Sequence, residues 1–414
     1  MESTMRRPHL PGFSAISNMN IANKLGLIVA VMAVPILALL AVQFFAQRET
    51  QQQAEKERDG LEYISTVIPF LREVQLHRGL ALRVLAGDVN SVETMKQSER
   101  AAENALAAIN EMDSRYGGRF GTKDLVAFLN QEWTTVKGST SSAETANAAH
   151  TRLIQEGIFP LLSTVATRSE LVLDPDLDTR AVIAALTESL PRLTESLSLI
   201  RATGTETLLT RANLTATDAQ KMFLSAQLAI ASEYAESLDR QLQVAMSENR
   251  TFNETLDPAV RRAGTARSTF FDMTRNQVLV SGNLSNTAAE GFFYMGGSAI
   301  DTSNQLLAAA QETLNREFDQ RAADARQQFY MFGGAAVAGV ALALLLAVVI
   351  SMSITRPVRH LAEVADRISL GELDARIDVE SDNEIGRLAE SLRRMQTSLR
   401  AAIERLRQRR QQAA

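Results

Sequence analysis

Two stretches of the 414-residue chain are apolar almost without interruption, and the rest repeats hydrophobic positions on a helical period. Residues 25–45 carry one polar side chain, Gln43, and residues 329–350 (FYMFGGAAVAGVALALLLAVVI) carry no charge. Each is about the 20 residues needed to cross a bilayer as a helix. In the second, Gly333, Gly334, Ala335, Ala336, Ala338 and Gly339 would let another helix approach closely. A cleaved signal peptide is the other way to use the first stretch. Its apolar region is long for that and no A-x-A site follows, so an uncleaved anchor is expected.

Between the spans, apolar residues recur every three or four positions, with start and stop signals dividing them into about eight helices. Ser91 is expected to cap a helix that Gly117-Gly118 breaks, and a short helix over 122–137 carries Trp133. Ser141-x-x-Glu144 reads as a capping box for a helix to about 172, and Asp174-Pro175-Asp176 as a turn. A helix from about 179 meets a kink or restart at Pro191. Thr217-x-x-Gln220 caps the next, Asp257-Pro258 reads as an N-cap with proline at the first helical position, and Thr287-x-x-Glu290 opens a helix running into the second span. No strand-like alternation is present. The expected fold is all-α, with two four-helix bundles stacked end to end between two membrane helices.

Composition agrees: only 5% of residues are aromatic, and nine prolines are spread over the chain. A net charge of −5 points to no polyanionic partner, so no nucleic acid is expected, and the absence of cysteine removes disulfides and thiolate chemistry. The four histidines are scattered without metal spacing. No enzyme motif and no cofactor site is expected. Arg6, Arg7 and Lys24 precede the first span and Arg356 and Arg359 follow the second. The positive-inside rule then puts both termini in the cytoplasm and the long stretch between the spans outside it. The expected layout is a cytoplasmic tail 1–24, spans 25–45 and 329–350, a periplasmic helical domain 46–328, a cytoplasmic domain 351–406 and a basic tail 407–414.

One helical seam breaks its own rule. Leu61, Ile64, Ile68 and Leu71 continue by heptad spacing into Gln75 and Arg78 before Leu82 and Leu85, within the run VQLHRG. A guanidinium in a dry core costs several kcal/mol effectively unless paired. Either Arg78 meets a buried acid of another helix, with Asp174 or Asp176 as candidates, or it meets a small anion held between helices. Gln75 would complete the hydrogen bonds and His77 would stand at the edge. Gly79 weakens the helix but admits a neighbour. A second seam ends similarly, with Arg201 followed by Gly204.

After the second span, Pro357 is expected to start a helix with a seam at Val358, Leu361, Ala365 and Ile368, and Gly371 to end it. Leu373 and Ile377 stud a short connector. Asp382-Asn383-Glu384 caps a second helix with Ile385, Gly386 and a seam through Leu388, Leu392, Met395, Leu399, Ala402 and Leu406. This pattern, with Pro357, Gly371, Leu373, Ile377, Glu384, Ile385 and Gly386 in place, resembles the HAMP domain. The resemblance implies a parallel four-helix coiled coil built by two chains, relaying a signal from a membrane helix to an output. Few residues follow, so the output is expected from a cytoplasmic kinase, cyclase or chemotaxis protein in trans.

Pro69 with VQLHRG, LVLDPDLDTR (171–180), Leu190-Pro191 and Arg201-x-x-Gly204 resemble the outer domain of certain bacterial chemoreceptors and sensor kinases. The HRG element is also similar to nitrate- and nitrite-sensing (NIT-type) domains, and the length to helical bimodular sensor domains that bind carboxylates. Thr179-Arg180 stands where Ser-Tyr-Tyr is usual in the group. The resemblance implies a sensor for nitrate or a carboxylate, with Arg78, Gln75, His77 and Arg201 as ligand-binding residues in a homodimer. A ligand-independent HAMP scaffold that modulates a neighbouring receptor by mixed dimerisation is the alternative expectation.

Overall fold

A computed structural model describes residues 19, 21–139, 141–210, 216–280 and 286–412. It is all-α, with no strand among the described residues, and divides into two units: residues 49–325, and residues 1–48 with 326–414.

In the 49–325 unit, α1 (Ile21–Leu85), α2 (Ser91–Phe120), α3 (Lys123–Gly138) and α4 (Ala143–Arg152) begin the first bundle. A π-helical turn, Leu153–Ile158, joins α4 to α5 (Phe159–Arg168) as one long helix. The second bundle starts with α6 (Leu177–Ala184), joined by a π-helical turn at Ala185–Ser189 to α7 (Leu190–Thr210). It continues with α8 (Asp218–Glu248), α9 (Arg250–Met273), and α10 (Asn286–Ser369). Side-chain contacts fix an up-down-up-down course in each. Tyr63 stacks near Phe120, Phe70 on Trp133 and His77 on His150. In the other, Asn249 bonds Asp178, Thr255 meets Thr313 and Phe270 packs on Phe292.

The bundles lie side by side rather than end to end. α1 runs parallel to the 170–201 segment along its whole course, from the Lys56–Glu170 pair at one end to the Arg78–Glu195 pair near the other. The cause is α7. From Leu190 to Leu208 nearly every residue is buried, so the helix has no solvated face and must be enclosed by both bundles. Two of its buried hydroxyls bond locally: Thr194 donates to the Pro191 carbonyl and Thr207 to that of Thr203.

Several expected boundaries move. α2 passes through Gly117-Gly118 and ends at Gly121, whose φ of 70° takes the left-handed turn and whose N–H returns to the Gly117 carbonyl. Ser142, not Ser141, caps α4, accepting from the Thr145 N–H. α5 stops at Arg168 and Glu170 takes a positive φ of 67°. Thr217 and Gln220 do form the expected reciprocal cap. Asp257-Pro258 starts nothing: Asn249 caps α9 eight residues earlier, accepting from Thr251 and Phe252, and Pro258 lies inside the helix. α10 begins at Asn286; the expected Thr287 cap rests on a side chain outside the described residues.

In the other unit, the apolar parts of α1 and α10 are each long and apolar enough to cross a membrane and are unburied. Pro357 does not start a helix, because α10 runs through it to Ser369. Gly371 ends the helix, and α11 (Glu384–Gln412) follows a connector, taking in the stretch read as a basic tail as far as Gln412. Leu361, Val364, Ile368, Ala375, Ile377, Val379 and Ala389 form one small core, with Leu373, Ile385 and Leu392 packed on it. Val364 takes the deep position expected of Ala365.

Candidate functional site

The VQLHRG run places Gln75 and Arg78 against α7, where the polar residues of both helices form one dry cluster. Arg78 is fully buried and grips Glu195 bidentately, Nη1 to Oε1 at 2.7 Å and Nη2 to Oε2 at 2.8 Å. Nη2 also donates to Ser198 Oγ at 2.9 Å, and Gln75 Nε2 donates to Glu195 Oε2 at 3.2 Å. The acid that meets Arg78 is therefore Glu195. The expected candidates, Asp174 and Asp176, belong to another arginine: Arg321 of α10 reaches Asp174 at 3.0 Å and Asp176 at 2.7 Å. Sequence reading missed Glu195 because its heptad spacing puts it beside the α7 seam, on a face a two-sided amphipathic helix would give to solvent. The signal available was that Thr194, Ser196 and Ser198 around it are small or weakly polar on every face.

Arg201 differs from Arg78 in one decisive respect. It is buried to 4% exposure, yet it pairs with no carboxylate within ion-pair distance among the described residues. Nη2 donates to the Gln75 carbonyl at 3.1 Å, the guanidinium carbon lies 4.9 Å from the Phe293 ring centre, and Nε has no hydrogen-bond partner. Burial, and then the neighbouring Arg78 charge, lower its pKa to about 10, so it remains a cation at neutral pH. Glycine makes the room: a Cβ on Gly296 of α10 would lie 2.8 Å from Arg201 Cγ and from Phe270 Cζ. Gln75, with its own Oε1 unpartnered, and Arg201 line a cleft of about 460 Å³ between α1, α7 and α10, with Arg72 and Asp301 also in the wall.

His77 faces elsewhere. Its Nδ1 lies 2.8 Å from His150 Nε2, and His150 Nδ1 lies 2.7 Å from the Ala146 carbonyl. The carbonyl can only accept, so His150 carries its proton on Nδ1 and His77 donates from its own Nδ1. Burial lowers the His77 pKa to about 4 and holds His150 well below the ordinary value, so both are neutral. Of the four expected ligand residues, the structure brings Gln75, Arg78 and Arg201 into one cluster and directs His77 into the first bundle, against Trp133.

At the other end of α1 the contacts are also ionic. Asp174 is fully buried; it accepts from Thr179 Oγ1 and from the Asp176 N–H, as well as from Arg321. Glu57 of α1 stands beside this set, and burial raises its pKa to about 7, with the Asp174 charge adding to the rise.

The second candidate region follows α10. Asn383 Oδ1 caps α11 by accepting from Ile385 and Gly386. Gly386 cannot carry a side chain, since a Cβ would fall 1.5 Å from the Ser381 carbonyl oxygen. The connector is pinned to α11 through its backbone: Arg393 donates to the carbonyls of Ile377 and Val379, and Gln396 to those of Leu373 and Ala375. Residues 349–401 match the HAMP domain family. The chain carries a HAMP domain. The positions expected from the motif therefore have physical roles: Leu373 and Ile377 fill the HAMP core, Glu384 and Ile385 start α11, and Gly386 admits the Ser381 carbonyl.

Over 62 residues the chain is 40% identical to a protein of Acetivibrio thermocellus named as a sensory transducer; the match spans 15% of this chain and 11% of that relative. Among solved structures it is similar to the NasR transcription antiterminator, with a TM-score of 0.52 at 12% identity, over 86% of this chain and 94% of that one. At that identity the likeness is one of fold. The HAMP match and the two candidate membrane helices are the features of the chain that bear on its function.

Proposed function

We propose that the 49–325 unit is a periplasmic sensor for a small anion, held in the cleft at Arg201, and that the signal leaves through α10 and the HAMP domain. The observation that carries this reading is the buried Arg201 cation, which has no ion-pair partner among the described residues, leaves its Nε without a hydrogen bond, and lines the cleft together with Gln75. A desolvated, uncompensated guanidinium is costly, and an oxyanion in the cleft would offset that cost with charge-assisted hydrogen bonds. Arg78 then positions rather than binds: both of its terminal nitrogens are held by Glu195, one of them also by Ser198, and it fixes the Gln75 helix turn whose carbonyl holds Arg201. Nitrate and small carboxylates are the ligand classes we infer. The positive-inside rule supports an inner-membrane protein with both termini cytoplasmic.

The relay we infer is a change in how α10 packs, biasing the HAMP domain between two arrangements. Leu388, Met395, Leu399 and Leu406 of α11 remain exposed in one chain, which supports a homodimer that covers them. The output partner we infer is a cytoplasmic kinase, cyclase or chemotaxis protein acting in trans on this domain.

The chain has no cysteine, so one introduced cysteine reports cleanly. Met395→Cys in the full chain in membranes should cross-link between copies, at a rate that changes when nitrate or a small carboxylate is added. Cross-linking unaffected by any anion that binds would instead favour the ligand-independent scaffold, and no cross-linking would remove the dimer.

A further inference from the structure

The opposite side of the α1–α7 seam holds a larger groove, of about 720 Å³, walled by α4–α5, α7 and α8. Its two ends carry opposite charges. At one end, Arg192 is half-buried, with its guanidinium carbon 5.0 Å from the Phe159 ring centre and 6.0 Å from that of Tyr234. It makes neither an ion pair nor a hydrogen bond with any described residue, although arginines elsewhere in the unit are mostly paired. Aromatic contacts restrain the guanidinium and leave its N–H donors free for a carboxylate.

At the other end stand Glu144, which also has no ion-pair partner among the described residues, and Asn147, whose buried Oδ1 accepts no hydrogen bond. Asn147 and Phe159 are twelve positions apart on one long helix, or about 18 Å at the helical rise. Between them the wall presents the mutually paired Arg152 and Glu156 and the amides of Gln155 and Gln227 beside apolar Leu199 and Ile230.

We propose that this groove binds a short linear peptide with free ends, its carboxylate on Arg192 and its ammonium toward Glu144 and Asn147. About five extended residues cover that distance. The side-chain amides suit peptide N–H and C=O groups, and a small inorganic anion would leave most of the groove empty. The site is separate from the Arg201 cleft, and Glu195 links them: it lines the groove while its carboxylate is held by Arg78 and by Gln75, which lines the cleft.

The test is calorimetric titration of the full chain in nanodiscs with penta-alanine, its C-terminal amide, its N-acetyl form and benzoate. We expect penta-alanine to bind, amidation or Arg192→Ala to weaken binding at least tenfold, and acetylation or Glu144→Gln to weaken it several-fold. Arg201→Ala should leave peptide binding unchanged, which separates this site from the anion reading. Absence of penta-alanine binding, equal binding of the amide, or benzoate binding as tightly as the peptide would overturn the proposal. If Arg192→Ala does not fold, the comparison of free and amidated peptide on the wild-type chain decides.

Discussion

Two arginine–carboxylate joints tie the 49–325 unit together, and they are built differently. Arg78–Glu195 is dry: the two side chains are 0% and 3% exposed, and they join parallel helices of neighbouring bundles. Arg321–Asp174 joins α10 to the loop before α6, and its arginine is 27% exposed. The dry joint is surrounded by unsatisfied groups, namely Arg78 Nε, Gln75 Oε1 and Arg201 Nε, and has clefts on two sides. Arg321, by contrast, spends its nitrogens on Asp174, Asp176, Thr179 and Glu317. Unsatisfied polar groups are where a ligand gains most, and satisfied ones hold geometry. The proposed ligand site lies beside the first joint, and the second anchors α10.

The largest expected effect breaks the dry joint. Arg78→Ala strands the Glu195 carboxylate and should cost about 3–5 kcal/mol in denaturant unfolding. Replacing both partners by leucine should recover most of that loss; if it does not, the pair is doing more than compensating its own burial. Gly296→Ala comes next, at about 2 kcal/mol, because its Cβ would press on Arg201 and Phe270. It should also displace Arg201 and weaken anion binding, whereas a change of equal cost elsewhere in the core should not. Arg321→Ala should cost about 1–2 kcal/mol, discounted for its exposure, since Asp174 keeps Thr179 and the Asp176 N–H. Its sharper signature is expected in signalling, with binding intact and the HAMP response to ligand reduced.

The two regions should also respond to pH with opposite signs. His77 titrates lower in the folded chain than when unfolded, so its contribution is full above pH 6.5 and is lost as pH falls toward 4, with His150 adding in the same direction. Glu57 titrates higher when folded, so its contribution is full below the ordinary carboxyl value of 4.5 and is lost as pH rises through about 7. Glu57→Gln should therefore stabilise by about 1 kcal/mol at pH 8 and change little at pH 4, as read by thermal melts across that range.

Much of this was legible in the residues. The two apolar stretches, the capping box at Thr217, the Gly371 stop and the HAMP connector positions Leu373 and Ile377 follow from local rules that tertiary contacts do not override. The inward turn of Arg78 was legible too, because heptad spacing alone puts it in the seam. Its partner was not, since Glu195 lies off the α7 seam and becomes inward only when a second bundle covers that face. The same lateral packing explains why an end-to-end stack was expected: one-sided periodicity describes a helix in one bundle, and α7 serves two. Pro258 and Pro357 mislead because proline favours the first turn of a helix, whereas both sit inside longer ones.

The account rests most on Arg201 being the anion-binding arginine and Arg78 its support. Titrating the full chain in nanodiscs with nitrate, nitrite, acetate and succinate, beside Arg201→Ala and Arg201→Lys, tests that directly. At least one anion should bind the wild type. Binding should be lost in Arg201→Ala and weakened in Arg201→Lys, which keeps the charge without the fork. An anion that binds Arg201→Ala as tightly as the wild type, or no binding by any of the four, would contradict it.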